Sequence, residues 1–171
     1  LYRTNAQSRA FEEQLRRNNI PYQIVGGISF YQRKEIKDLM AYLKLIVNIK
    51  DDVALERVIN YPKRGIGAKT FSDIQALARE RGVSAYELLL KLDEIPELSS
   101  RAKRIAPFVE LVEKYRRKRQ TEPIDLLAQD LVEDLRFLEE LRQEDEIIAQ
   151  TKIENVEAFI EGMAEYARHN G

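Results

Sequence analysis

Apolar residues recur at two different spacings along this chain. Near its start, Leu1-Tyr2-Arg3-Thr4 and Tyr22-Gln23-Ile24-Val25 are short runs of strand-forming types. Between them Ala10, Phe11 and Leu15 fall at helical spacing, predicting a helix over residues 7–18, with Asn5 and Ser8 placed to cap it. Asn18-Asn19 offers a helix end, Pro21 forbids continuation, and Gly26-Gly27 stops the second strand. The opening therefore reads strand, helix, strand, a piece of an α/β sheet. Such a unit is rarely stable alone, because its sheet needs neighbours.

After Gly27 the spacing is helical throughout. Ile36, Leu39, Met40, Leu43 and Val47 form one stripe over residues 33–48. Asp51-Asp52 caps a helix over 53–60, which Pro62 ends. Another is predicted over 70–81, closed by Gly82, and Ser84 caps one over 85–91. Longer helices are predicted over 99–119, where Pro107 is able to start a separate helix, and over 123–141. The last spans 147–168, with Ile153, Val156, Phe159, Ile160 and Met163 in register. The expectation is a mainly α protein. Residues 28–171 form a body of six or seven helices, behind a strand–helix–strand piece over 1–27.

Composition narrows the function. The 171 residues carry 28 Lys plus Arg against 29 Asp plus Glu, a net charge of −1 with the lone His169 neutral. A uniformly basic nucleic-acid binder is excluded, so any DNA contact has to come from a local patch. Apolar residues make up 44% and charged ones 33%, too apolar for a disordered chain. The absence of Cys excludes disulfides, thiolate metal sites and cysteine nucleophiles, and one His leaves zinc binding or His-based catalysis without partners. No apolar run reaches membrane-spanning length and no secretory signal is present, so the expected location is the cytoplasm. The chain starts at Leu1 and not at Met, which suggests a piece of a larger protein.

The most informative stretch is Tyr61-Pro62-Lys63-Arg64-Gly65-Ile66-Gly67-Ala68-Lys69-Thr70, running into a helix. Two glycines let the backbone turn tightly and approach a partner closely. The helix behind them aims free N–H groups and its positive dipole end at that point. Lys63, Arg64 and Lys69 add three cations with no acid between them, which suits nucleic-acid phosphates read without regard to sequence. An ordinary glycine turn between two helices fits the same spacing. The polar and basic cluster from Tyr2 to Arg9 sits at a strand end, where open sheets bind ligands, or is simply a capped, solvated turn. Phe30 and Tyr31 have the chemistry to stack on bases or to pack in a joint. The alternating charges from Arg33 to Asp38 read as a solvated first turn with intrahelical ion pairs. The run Arg116-Arg117-Lys118-Arg119 suits a solvated helix end or a DNA or partner contact. There are no candidate catalytic carboxylates, no metal-type spacing and no phosphate loop of the kind that hydrolyses nucleotides.

Taken in order, residues 1–9, Pro21-Tyr22-Gln23-Ile24-Val25-Gly26-Gly27, Phe30 to Asp38, Ala41-Tyr42-Leu43, Pro62-Lys63-Arg64-Gly65-Ile66-Gly67 and Glu154-Asn155-Val156 resemble the UvrD/PcrA/Rep family of superfamily 1A DNA helicases. The stronger motifs cover residues 1–70. The resemblance implies that residues 1–27 are the end of the first segment of a RecA-like 2A subdomain, and that residues 28–171 are most of a 2B subdomain. It implies a parent that is an ATP-dependent 3′-to-5′ helicase in repair or replication. The sites for ATP and magnesium would lie outside this chain, so the piece has no cofactor of its own and is inactive alone. Arg3 and Asn5 match a single-strand contact, and Lys63, Arg64, Gly65, Ile66, Gly67, Lys69 and Thr70 match a duplex-contacting loop. Gly26 and Gly27 would be the hinge on which 2B swivels. Three positions depart from the family pattern: Ser29, where a base is usual, Ile49-Lys50 in place of a proline, and Lys152 in place of Arg. Two functions stay open. One is a DNA-binding and regulatory module, for which three phosphate contacts give a log–log salt slope near about −2.7. The other is a protein-interaction or autoinhibitory module, binding the motor or repair proteins with little DNA affinity. The expected partners are DNA, the rest of the motor and repair proteins, without a membrane.

Overall fold

The helix expected over 33–48 is the spine of the molecule. The computed structural model describes residues 28–170 and contains nine α-helical segments, with no strand among the described residues. The strand–helix–strand expected over 1–27 lies outside them. A single turn, α1 (Ile28–Tyr31), leads into α2 (Lys34–Val47). Ile36, Leu39, Met40, Tyr42, Leu43 and Leu45 in α2 are at most 1% exposed, so the helix is covered on nearly every side.

Burial of α2 extends to its first turns, against the solvated start expected at 33–38. Glu35 and Asp38 are buried and each carries donors, as a buried carboxylate must. Asp38 accepts from Lys34 Nζ at 2.7 Å, the expected intrahelical pair, and from Arg57 Nε at 2.8 Å. Glu35 accepts from Asn155 Nδ2 at 2.9 Å. The Glu-Asn pair near the end of the chain thus ties the last helix to the spine.

Helix α3 (Asp52–Val58) begins as expected, with the Asp51 carboxylate accepting from the Ala54 amide at 3.0 Å. Gly82 closes α4 (Ala68–Arg81) in the left-handed conformation, and Ser84 with Glu87 makes a capping box on α5 (Ala85–Leu89). Two 3-10 turns, Leu92–Glu94 and Pro96–Arg101, replace the first turn of the helix expected from 99. Helix α6 (Ala102–Lys118) then runs through Pro107 without a break. The ring, at the sixth residue, costs the helix one amide hydrogen bond, and Ile105, Phe108, Val112 and Tyr115 bury the face that holds the helix in place.

The helix expected over 123–141 is two, α7 (Ile124–Asp134) and α8 (Phe137–Leu141). Arg136 between them has φ +53°, a left-handed break that lets Leu135 and Phe137 both enter the core. Helix α9 (Glu146–Asn170) packs on α7, α8 and α2, while α2 also packs on α3 and α6. Phe30 and Tyr31 lie inside this joint, and the edge of Tyr31 meets Phe159 at 6.3 Å. Neither ring is open to a base. No helix among the described residues is long and apolar enough to cross a membrane.

Candidate nucleic-acid interface

The loop between α3 and α4 is built around one buried side chain. Ile66 is 2% exposed, while Lys63, Gly65, Gly67, Ala68 and Lys69 around it are exposed. The isoleucine anchors the tip of the loop in the core and turns its backbone outward. Asn60 fixes the curve from within, its Oδ1 accepting from the amides of Arg64 at 2.8 Å and Ile66 at 3.0 Å. Gly65 has φ +75°, a conformation that strains any residue with a Cβ, and Arg104 Nη1 donates to its carbonyl at 3.2 Å. Gly67 is the N-cap of α4 and supplies no side chain to its first amides. Those amides point out of the loop with the positive end of the helix. A Cβ at Gly67 would meet nothing within 4 Å, so the ground in front of the helix is open.

The three sequence-predicted cations take different places. Lys63 is exposed. Lys69 is 89% exposed, with only a loose 3.9 Å approach to Asp73. Asp73 is held more firmly by Arg101 at 2.8 Å, which keeps its carboxyl below the usual range. Thr70 is half-buried at the start of α4, with Oγ1 3.5 Å from Arg101 Nη1. Arg64 instead turns under the loop. Its Nη1 donates to the carbonyls of Val58 at 2.9 Å, Ile59 at 3.1 Å and Tyr61 at 3.3 Å, and its Nη2 donates to Tyr42 Oη at 2.8 Å. The guanidinium also lies 4.9 Å from the centre of the Phe108 ring. Tyr42 Oη donates in turn to the Tyr61 carbonyl. Burial pushes the Tyr42 hydroxyl up to about 12, with Arg64 pulling it back, so it stays protonated as a donor.

Arg64 is thus a brace that gathers the last carbonyl of α3 and two carbonyls of the turn after it. Sequence spacing brought it forward as a phosphate contact because charge is visible in a sequence and direction is not. Spacing missed Asn60 and Arg104. An Asn five residues before a Gly-x-Gly turn is a usable signal for the first. Nothing in the sequence links Arg104, on a separate helix, to Gly65. Arg3, Asn5, Gly26 and Gly27 lie outside the described residues.

The loop is thus an exposed glycine turn with two lysines beside it and an uncapped helix start behind it. The model of the UvrD-like helicase C-terminal domain matches residues 1–170. The chain belongs to the UvrD-like helicase C-terminal domain family. Among curated proteins it is similar to the ATP-dependent DNA helicase PcrA of Bacillus subtilis, 38% identical over 94% of this chain and 22% of that protein. It is similar to PcrA of Staphylococcus epidermidis at 36% over 97% of this chain and 23% of the relative. PcrA of Staphylococcus aureus is 35% identical, with the same coverage. The chain therefore spans less than a quarter of the length of these helicases. As a member of the UvrD-like family it is similar over nearly its whole length to one segment of these ATP-dependent DNA helicases.

Proposed function

We propose that this chain is the duplex-contacting module of an ATP-dependent 3′-to-5′ DNA helicase, with ATP and magnesium bound elsewhere in the parent. Residues 28–171 act as its 2B-like body, and residues 1–27 as the end of a 2A segment that meets single-stranded DNA through Arg3 and Asn5. Gly26 and Gly27 are the hinge between them. The observation that carries this reading is the braced loop, with Gly65 and Gly67 exposed, Ile66 anchored, and the first amides of α4 open beside Lys63 and Lys69. The backbone amides from Gly67 to Thr70 receive a duplex phosphate, and the two lysines neutralise its neighbours. Arg64 holds the loop in shape beneath them.

With Arg64 turned inward, the loop offers two side-chain cations, and its expected log–log salt slope is about −1.8. The test is binding of this chain to a duplex with a 3′ single-strand tail at several salt concentrations, beside the variant Lys63→Glu/Lys69→Glu. Salt-sensitive binding that the variant loses supports the duplex grip. Equal binding by both proteins sinks it. The protein-interaction reading rests on the net charge of −1 and on exposed Ile147 and Ile148 at the start of α9. It predicts no salt-dependent DNA binding by either protein.

A further inference from the structure

A second group of cations lies at the opposite end of α6. Lys50, Arg116, Arg117 and Arg119 line one hollow of about 360 Å³, together with Asn48, Gln120 and the last residues of α2. Glu113 is the one acid in that lining. It is already taken, accepting from Arg116 Nη1 at 2.7 Å and from Tyr86 Oη at 2.8 Å. Lys118, in the middle of the basic run, faces the other way, toward Asp130 at 3.0 Å and Glu122 at 3.6 Å. Lys50, Arg117 and Arg119 are exposed and have no ion pair among the described residues.

Complementing the dipole of α6 accounts for cations in its own last turn. Lys50 comes from a different element, the turn after α2 on the side of Glu87, and converges on the same hollow. An acid spent inside the protein and three exposed cations around a cavity, none in a close ion pair, are the arrangement of an anion site.

We propose that this hollow is a second phosphodiester-binding site, in which Lys50, Arg117 and Arg119 take backbone phosphates of the DNA whose first contact is the Gly65 loop. The inference rests on the reading that this chain meets duplex DNA. Arg104 supports Gly65 at one end of α6 and Arg117 stands at the other, about 20 Å apart along the helix rise. That span matches about six phosphates of one strand. Arg116 is a positioning residue, kept in place by Glu113.

Three further phosphate contacts add about −2.7 to the salt slope, for a total of about −4.5. A fourfold rise in salt, from about 50 to about 200 mM, then weakens binding of a blunt duplex about 500-fold. The variant Lys50→Gln/Arg117→Gln/Arg119→Gln should lose only about 12-fold over the same range. Its substitutions are all at exposed side chains, and an unchanged thermal midpoint verifies the fold. The Nε–H signals of Arg117 and Arg119 in the parent chain should shift as duplex is added.

A pocket variant with the parent's affinity and slope, and arginine signals that ignore the duplex, overturns the second site. If Lys63→Gln/Lys69→Gln abolishes binding in the same series, the loop reading survives that failure. If the pocket variant weakens binding and the loop variant does not, the second site stands and the loop reading falls. Arginine signals that move with a hexaglutamate peptide and not with duplex overturn the assignment to phosphate and make the hollow a site for an acidic protein segment.

Discussion

Removing the guanidinium of Arg64 should unfold the loop before it affects any ligand. Arg64→Met keeps much of the stem and deletes the donors to three carbonyls and to Tyr42 Oη. A hydrogen bond from a charged donor is worth about 1.5–3 kcal/mol, and only the shorter contacts count fully at a half-buried site. The contact with the Phe108 face adds about 0.5–1 kcal/mol. The expected loss is about 3–5 kcal/mol, a large part of the stability of an ordinary domain, and a drop in midpoint of roughly 10 °C. Arg64→Lys keeps the charge but not the planar fork, and should recover at most half of the loss. Urea unfolding followed by far-UV circular dichroism measures both variants, and a constant slope shows that the unfolded state is unchanged. The pair Arg64→Met and Tyr42→Phe should be coupled by about 1–2 kcal/mol, because each removes the other's partner. Both Arg64 variants lying within about 1 kcal/mol of the parent, with Arg64→Lys keeping DNA affinity that Arg64→Met loses, would refute the brace and return Arg64 to the surface.

The two loop glycines should separate fold from contact. Gly65→Ala forces a Cβ into the left-handed region, 3.1 Å from Arg104 Cδ, and should cost about 1–2 kcal/mol. Gly67→Ala sits at φ −83° in open space and should leave the thermal midpoint unchanged, yet weaken duplex binding by crowding the phosphate; unchanged affinity counts against a close approach there. Asn155→Ala leaves buried Glu35 without the donor at 2.9 Å and should cost about 1.5–3 kcal/mol in urea unfolding, and Glu35→Gln should recover part of it in the double variant. Burial raises the Tyr42 hydroxyl to about 12, and raises those of Tyr61, Tyr86 and Tyr115 as well. Folding thus favours the protonated phenols: their contribution is complete below the unfolded value near 10 and is lost as pH climbs through the folded values. Absorbance at alkaline pH should show these tyrosines ionising only together with loss of helix.

Local chemistry was readable from the residues themselves. The stripe of Ile36, Leu39, Met40 and Leu43 predicted α2, and Ser84 and Gly82 marked helix ends that the structure keeps, because caps and periodicity are properties of neighbouring residues. The Gly-Ile-Gly turn announced an exposed loop for the same reason, since only a backbone free to take φ +75° can make it. Direction was decided elsewhere. Glu35 and Asp38 looked solvated in a run of alternating charge, yet Asn155 and Arg57 reach them from other helices and make their burial tolerable. Arg136 broke a helix whose apolar spacing ran on, because two buried faces could not be served by one straight axis. Arg64 shows the division most clearly. The sequence by itself determined that a cation stands beside the two glycines. The end of α3, Tyr42 and Phe108 decided that it points inward, since converging carbonyls next to an aromatic face hold a guanidinium better than water does.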